Sequence, residues 1–410
     1  MTKRRAHRKS RGGCAECKRR HIKCGEEKPS CLHCIRYNIP CIYRQALTAA
    51  SDVVSAEDSS PQSDPSWQSI GLDDYIDGSP GVISATTGAS KDLFKMKDMA
   101  LLHHWITVAG YSILNTHELD YYWHSVIPSI GFNHQYVMHS ILSLSALHLV
   151  HSSPSDRGSS LLVATEHRSK ALDGFTEDLR NVGPSNSSAL FANAMLTFFY
   201  AFVSFSKTFD DVCANTKVRT AHILGAEWIL LVRGTADVLE PVYDHVREGP
   251  LRSFLDLHNF DNLDPTDSVH TSAFSKRLVE INNIWAADEH AEVYNETLHI
   301  LRRCSVWMEQ FGTMQDGVEV SWGYNRFYSG PFIWLFSAPR KYFVLQQQRQ
   351  PPALIIFAYY GTLLHRLNSY WWAEGCGQSI VSTVHGCLGP YWSSWIDWPK
   401  QAVGLPCPCA

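Results

Sequence analysis

The chain has 410 residues, of which 45% are hydrophobic and 19% are charged, and its net charge is −4 at pH 7. This composition excludes an intrinsically disordered chain and predicts a large folded core in more than one domain. The charge is unevenly distributed, because residues 1–45 carry 13 Lys and Arg against 3 Asp and Glu, while the remainder is acidic. The basic segment predicts contact with a polyanion.

Residues 1–13 form a basic arm and not a secretory signal, because no apolar run follows them. The longest apolar stretch, residues 189–205, is interrupted by Asn193, Thr197 and Ser204. It therefore predicts a buried helix and no membrane contact. We expect an intracellular chain, in which cysteines stay reduced and a cysteine cluster indicates a metal site.

Residues 14–45 contain a repeated cysteine pattern. It reads C-x2-C-x6-C twice, with a six-residue spacer that includes Pro29, and its members are Cys14, Cys17, Cys24, Cys31, Cys34 and Cys41. The other six cysteines are scattered, and we interpret them as buried or incidental thiols.

Counting ligands predicts a cluster of two zinc ions. Structural zinc takes four ligands, so six thiolates can hold two ions only if two of the sulfurs bridge both. The symmetry of the repeat favours the first cysteine of each half, Cys14 and Cys31, as the bridging ligands. His21 and His33 are alternative ligands in the same segment, although both lie off the symmetric pattern. The segment has little apolar content, so metal ligation must hold its fold.

A basic helix is predicted to begin at Cys17. With the arm before it, this helix supplies the candidate residues for binding double-stranded DNA, namely Lys18, Arg19, Arg20, His21, Lys23, Arg8, Lys9 and Arg11. A solvated face or a nuclear-import signal is the alternative interpretation of such a run, and import can use the same residues.

Residues 46–95 are predicted to form a flexible acidic linker. Residues 46–90 hold seven acidic residues and no Lys or Arg, and they are rich in Ser, Asp, Gly, Pro and Ala. The acidic and aromatic patch at residues 67–76 is either a contact for transcription machinery or part of a solvated spacer, and the spacer is the simpler interpretation.

Residues 96–405 are predicted to form a large all-helical domain, which makes the fold class mainly α. Leu101, Leu102, Trp105 and Val108 recur at helical spacing. Further helical stretches are predicted around residues 137–144, 160–179, 188–205, 218–232, 273–312 and 352–367. Alternating patterns typical of strands are scarce.

Aromatic side chains in this domain either fill the helical core or line a cavity for a small apolar ligand. They are Phe198, Phe199, Phe202, Trp334, Phe336, Trp371 and Trp372, and a packed core is the more ordinary interpretation. His103, His104, His139 and His148 form no H-E-x-x-H motif, and we interpret them as packed or exposed residues and not as metal ligands.

The cysteine spacing and the basic run from Cys17 to Cys24 resemble the fungal binuclear zinc-cluster transcription factors. The resemblance implies that Cys14 and Cys31 bridge the two metals, and that the basic helix enters the major groove at CGG-type triplets. It also implies that Arg20 and His21 approach the base edges. His21 departs from the Lys frequent at this position, and Gly25 departs from the Asp frequent there.

The helical region resembles the fungal-specific transcription factor domain that follows many such clusters. The matching stretches are residues 99–105, 123–132, 141–148, 352–367 and 391–405. The resemblance implies a regulator of genes transcribed by RNA polymerase II, similar to regulators of secondary-metabolite gene clusters or of sterol uptake.

We therefore predict a nuclear, sequence-specific transcription factor that is not an enzyme, since no G-x-S-x-G motif, phosphate loop or kinase-like set occurs. A sterol- or lipid-responsive regulator is one alternative. A zinc-dependent protein-interaction adaptor is another, against which the basic helix argues. The sequence leaves open whether the chain forms a homodimer.

Overall fold

The computed structural model describes Cys14, residues 17–18, Ile22, residues 24–26, Cys31 and Cys34, and then residues 94–114, 117–153, 157–207, 216–255, 260–265, 272–311 and 326–406. The chain divides into two units, Met1–Thr87 and Gly88–Ala410. Within the described residues every regular element is a helix. The predicted linker up to residue 93, with its acidic and aromatic patch, lies outside them.

In the described part of the second unit the elements are short 3-10 or π turns and α-helices. These are α1 (Met96–Thr107), α2 (His117–Tyr121), α3 (Ile127–Asn133), α4 (Gln135–Ser152), α5 (Arg157–Asp178), α6 (Ser187–Val203), α7 (Thr216–Ile223), α8 (Trp228–Leu239), α9 (Tyr243–Glu248), α10 (Ala273–Ile281), α11 (Ala291–Gln310), α12 (Gly330–Ser337), α13 (Arg340–Gln347), α14 (Pro351–His365), α15 (Cys376–Cys387), α16 (Pro390–Ser393) and α17 (Asp397–Ala402). A π-helical turn, Tyr122–Val126, joins α2 to α3.

Side chains and prolines set several of the helix starts. The Asp98 carboxylate accepts a hydrogen bond from the backbone N–H of Lys95, 2.7 Å away, at the start of α1. Ser272 Oγ accepts one from the backbone N–H of Ser275 at the start of α10. Pro351 and Pro352 open α14, where a missing N–H costs nothing.

Two groups of helices enclose the core. In the first, α4 packs against α1, α3, α5 and α6, and in the second α14 packs against α11, α12, α13, α15 and α17. Both central helices are buried around nearly their whole circumference. A helix that is apolar all round needs partners on every side, and this arrangement supplies them. The prediction of a mainly helical fold is confirmed.

The helix predicted over residues 218–232 is two helices in the structure. Gly225 has φ of +85°, in the left-handed region, and it separates α7 from α8. Its N–H donates to the carbonyl of His222, which ends the first helix. The apolar spacing continues across this turn, and the sequence pattern therefore concealed the break.

The stretch predicted over residues 273–312 is also divided. A 3-10 turn, Asn282–Trp285, follows α10, and α11 starts at Ala291. Between them, Asp288 Oδ1 accepts a hydrogen bond from the backbone N–H of His290 at 2.8 Å. Such a local bond from a short acidic side chain competes with the helical hydrogen bond.

The apolar run from residue 189 lies in α6, as predicted, and is buried among the other helices. Leu190, Leu196 and Phe202 are fully buried there. Of the helices in the described part of the chain, none is long and apolar enough to pass through a bilayer.

Candidate metal centre and nucleic-acid interface

Four cysteine sulfurs converge at one point in the first unit. The Sγ atoms of Cys14, Cys17, Cys24 and Cys31 all lie within 4.8 Å of one another, and each side chain is at most 3% exposed. Four sulfurs bound at about 2.3 Å to one tetrahedral ion lie about 3.8 Å apart. The quartet therefore lies close to the arrangement that one tetrahedral zinc ion requires.

The sulfur contacts between the two halves of the repeat are symmetric. Cys17 Sγ lies 3.6 Å from Cys31 Sγ, and Cys14 Sγ lies 3.6 Å from Cys34 Sγ. Cys14 and Cys31 themselves have their sulfurs 3.9 Å apart. The first cysteine of each half therefore lies beside the second cysteine of the other half, and these two sulfurs are at the centre of the group.

Backbone amides repeat the same symmetry. The N–H of Cys17 donates to Cys14 Sγ and the N–H of Cys34 donates to Cys31 Sγ, each with an N···S distance of 3.4 Å. The bond from Cys34 lowers the pKa of the Cys31 thiol, because it stabilises the thiolate. Burial raises the pKa of the Cys17 thiol. A zinc ion would favour the thiolate at both positions.

The polypeptide is helical where each C-x2-C pair ends. Cys17 and Lys18 are helical, as is Cys34. The backbone N–H of Lys18 donates to the carbonyl of Cys14, and the N–H of Ile22 donates to the carbonyl of Cys17. Lys18 is exposed, and Ile22 is 40% exposed. The turn that follows Cys17 therefore presents its Lys18 side chain to solvent.

Several predicted site residues lie outside the described residues. Among the candidate ligands these are Cys41 and the alternative ligands His21 and His33, and the spacer residue Pro29 belongs with them. Of the predicted DNA contacts, only Lys18 is described. The others are Arg19, Arg20, His21, Lys23, Arg8, Lys9 and Arg11.

The aromatic residues of the second unit divide between core and cavity. Phe198, Phe199 and Phe336 line a cavity of about 290 Å³, together with residues that the sequence did not single out, such as Trp123 and Phe332. The other four predicted aromatics do not line this cavity: Phe202, Trp334, Trp371 and Trp372 are buried in the core. Helical spacing does not reveal Trp123 and Phe332 as neighbours, because they come from segments far apart in the chain.

Two histidine pairs connect α4 to its neighbours. His104 Nε2 of α1 lies 2.9 Å from His148 Nδ1, and His139 Nδ1 lies 3.0 Å from His167 Nδ1 of α5. Burial lowers the pKa of His139 and of His148 to about 4. His103, the remaining histidine of the four singled out from the sequence, is exposed. Helical spacing carries no signal for this pairing, since each pair joins two different helices.

Two family models match the chain. Residues 12–50 match the fungal Zn(2)-Cys(6) binuclear cluster domain, and residues 100–255 match the fungal specific transcription factor domain. The first domain holds two zinc ions through six cysteines, and the convergent sulfurs described above agree with that cofactor.

Curated relatives carry matching descriptions. A Zn(2)-C6 fungal-type transcription factor of Gibberella zeae is 24% identical over 99% of this chain and 88% of its own length. Another of Aspergillus fumigatus is 24% identical over 70% of this chain and 75% of its own. The sterol uptake control protein 2 of Candida albicans is 30% identical, over 44% of this chain and 24% of its own length.

Proposed function

Because this chain is a fungal-type Zn(2)-Cys(6) transcription factor, we propose that it binds duplex DNA at CGG-like triplets in the nucleus and regulates genes transcribed by RNA polymerase II. The observation that carries the proposal is the convergence of Cys14, Cys17, Cys24 and Cys31 at the start of a basic segment. No catalytic role is part of it, since the family is one of transcription factors and not of enzymes.

In the proposed cluster one zinc ion is held by Cys14, Cys17, Cys24 and Cys31, and the other by Cys14, Cys31, Cys34 and Cys41. Cys14 and Cys31 are then the bridging ligands. The 3.6 Å contacts from these two sulfurs to Cys34 and Cys17 support the assignment, because a bridging sulfur must approach the terminal ligands of both ions. Folding of this segment is therefore coupled to the binding of its zinc ions.

The cluster would fix a short basic helix against the DNA. Lys18, Arg19, Arg20, His21 and Lys23 follow Cys17 directly, and Lys18 is exposed where the structure describes it. Guanine presents two acceptors in the major groove, for which Arg is the commonest partner, so Arg20 is assigned to base reading. Arg8, Lys9 and Arg11 of the arm are assigned to phosphates, which position the protein on every sequence alike.

For the target genes we propose a biosynthetic cluster, of the secondary-metabolite type. The support is the resemblance of both domains, in order, to regulators of this class. The acidic segment before the helical unit and the helical unit itself are then available to transcription machinery. Paired triplets at a fixed spacing in the target sites would indicate that the protein binds as a dimer.

A second candidate is a regulator that responds to a sterol or another lipid. Two observations favour it: the similarity to sterol uptake control protein 2 of Candida albicans and the apolar cavity among α6, α8 and α12. Under this candidate a small apolar ligand occupies the helical unit. A zinc-dependent adaptor without DNA binding is the remaining alternative.

Selection of bound sequences from a random duplex library tests the proposal. The full-length zinc-loaded protein is expected to enrich CGG-like triplets, and the number and spacing of the triplets report whether it binds as a dimer. Enrichment of a motif without such triplets would contradict the reading assigned to the basic helix. Absence of any salt-dependent binding to duplex DNA would favour the adaptor.

A further inference from the structure

A second pocket, separate from the apolar cavity, lies beside α10, α14 and α17. Its volume is about 380 Å³, within the range of about 300–1,000 Å³ that is usual for small-molecule sites. Its wall comes from these three helices and from the 3-10 turn Ser394–Ile396. The two linings have no residue in common, so this pocket is a distinct candidate site.

Aromatic rings form one side of this pocket. The rings of Tyr359 and Trp398 are stacked, with centroids 5.7 Å apart and planes at 12°, and the Phe274 ring packs against both. Trp395 also lines the pocket and is 37% exposed. The stacked pair is therefore fixed by packing, while Trp395 leaves apolar surface open to an occupant.

The Tyr359 hydroxyl is a polar group of this wall without a protein partner. The residue is only 2% exposed, and its hydroxyl makes no hydrogen bond with a described residue. It is not sealed by the protein, unlike the unpartnered hydroxyls of Tyr136 and Tyr360. A buried tyrosine hydroxyl usually finds a partner, as Tyr342 does by donating to the carbonyl of Ala353 at 3.0 Å.

The surroundings of Tyr359 show where its hydroxyl lies. Burial raises the pKa of this hydroxyl, and the charges of Arg277 and Glu280 act on it in opposite directions. Both of these charged residues line the pocket. The hydroxyl is therefore a neutral donor that reaches the pocket beside them.

Three further donors of the lining are unpaired. The hydroxyl of Ser394 and the indole N–H groups of Trp395 and Trp398 make no hydrogen bond with a described residue, and none of them is a sealed atom. With Tyr359 they make four donors at one pocket. An occupant that satisfies them must carry several acceptor oxygens.

The charged side chains around the pocket balance one another. Arg277 Nη1 donates to Glu280 Oε2 at 2.7 Å, and the buried Lys400 Nζ donates to Asp397 Oδ1 at 3.5 Å. Two cations and two carboxylates leave no net charge. A charged ligand would lose hydration here without an excess of opposite charge, which is costly, whereas an uncharged ligand avoids that cost.

We propose that this pocket binds an uncharged carbohydrate. The hydroxyls around a sugar ring both donate and accept, so they can pair with the open donors and with the carboxylates of Glu280 and Asp397. The C–H groups of a sugar ring are apolar and can pack on the Trp395 ring. The inference goes beyond the proposed DNA binding and rests neither on it nor on the apolar cavity.

Titration of the full-length zinc-loaded protein with the methyl glycosides of glucose, galactose and mannose tests the proposal. Ligand-observed NMR is expected to show at least one of them binding with a Kd of about 1 mM or tighter. Cyclohexanol, with a ring but one hydroxyl, and the corresponding uronate, which adds a charge, are expected to bind at least about tenfold more weakly. Failure of all three glycosides to bind would overturn the inference.

Adjacent tyrosines provide a matched pair of variants. Tyr359→Phe removes only the hydroxyl at the pocket and is expected to weaken binding of the glycoside about threefold to tenfold. Tyr360→Phe removes the neighbouring hydroxyl, which also has no partner among the described residues but lies outside the lining, and should leave the affinity unchanged. Equal affinities of these two variants would overturn the role of Tyr359 and with it the inference.

A second pair of variants tests the aromatic surface. Trp395→Leu is expected to weaken binding about tenfold, whereas Tyr391→Leu, at a position that is 79% exposed and outside the lining, should not change it. A melting curve verifies that each variant is folded, and if one of them unfolds the other pair still decides. An unchanged affinity in Trp395→Leu, or cyclohexanol binding as tightly as the glycoside, would contradict a carbohydrate site.

Discussion

The Sγ atoms of Cys14 and Cys31 lie 3.9 Å apart, although 17 positions separate the two cysteines in the chain. No disulfide joins them, and both are buried. Each of these sulfurs also lies 3.6 Å from a cysteine sulfur in the other half of the repeat. This crossed arrangement is the one that two ions sharing ligands would require, and the proposed bridging roles give the following prediction.

Replacement of a bridging cysteine should remove more zinc than replacement of a terminal one. Cys31→Ser withdraws a ligand from both ions and is expected to reduce bound zinc from two to below one per chain, whereas Cys17→Ser leaves the second ion fully ligated. The measurement is elemental analysis after dialysis against a weak chelator. Cys387→Ser, at a half-buried position of the helical unit, is the control and should keep two ions. Equal zinc contents for Cys31→Ser and Cys17→Ser would contradict the bridging assignment.

Arg20→Ala should weaken binding to the selected target by about 1–3 kcal/mol and bring it close to the affinity for random DNA. The reason is that Arg20 is assigned to a guanine edge, which only the target presents. Arg8→Ala, in contrast, removes a phosphate contact and should weaken target and random DNA alike while lowering the salt dependence. Titrations of both duplexes by fluorescence anisotropy at several salt concentrations separate the two roles. Equal losses on both duplexes for Arg20→Ala would refute its role in reading bases.

Acid should destabilise the helical unit through its histidine pairs. Burial lowers the pKa of His139 to about 4, below its unfolded value of about 6.5, so folding favours the neutral ring. The unfolded chain therefore binds more protons between these two values. The resulting stability is complete above pH 6.5 and is lost as pH falls toward 4, on the order of 3 kcal/mol for one such histidine. Chemical denaturation at several pH values measures this slope.

The histidine variants assign the pH effect to particular residues. His139→Gln removes one of the two strongly shifted rings and should reduce the dependence of unfolding free energy on pH, leaving the share due to His148, while His103→Gln, at an exposed position of α1, should leave it unchanged. An undiminished slope in His139→Gln would contradict the contribution assigned to this residue, and a slope that persists in the double variant with His148→Gln would place the acid sensitivity elsewhere.

Two glycines of the α7–α8 region should respond to alanine in opposite directions. Gly225 has φ of +85°, and a Cβ there would overlap the Ile229 side chain, so Gly225→Ala should destabilise the protein by about 1–2 kcal/mol. Gly234 lies within α8, with open space where its Cβ would be. Gly234→Ala should therefore stabilise by about 0.5–1 kcal/mol. Melting temperatures report both, and an unchanged or raised melting temperature for Gly225→Ala would contradict the role given to Gly225.

The metal centre was predictable from the sequence because its ligands lie close together along the chain at regular spacing. The spacing of Cys14, Cys17 and Cys24, repeated at Cys31 and Cys34, fixes both the number of ligands and their symmetry. The helices were predictable for the same reason, since their apolar period lies within one element. The break at Gly225 was not, because the apolar spacing continues through it and only the backbone angle reveals it.

The histidine pairs and the full lining of the cavity could not be predicted, because they depend on how distant helices pack. His104 and His148 are 44 positions apart, and their contact follows from the packing of α1 on α4. The cavity joins Trp123 to Phe332 across much of the chain.

The most direct test of the central claim is one titration of the full-length protein, in which zinc content and affinity for a CGG-containing duplex are followed together as a chelator is added. The account predicts two zinc ions per chain at the start, and a loss of DNA binding in step with their removal that added zinc restores. A single zinc ion per chain, or DNA binding that persists after the metal has been removed, would contradict it.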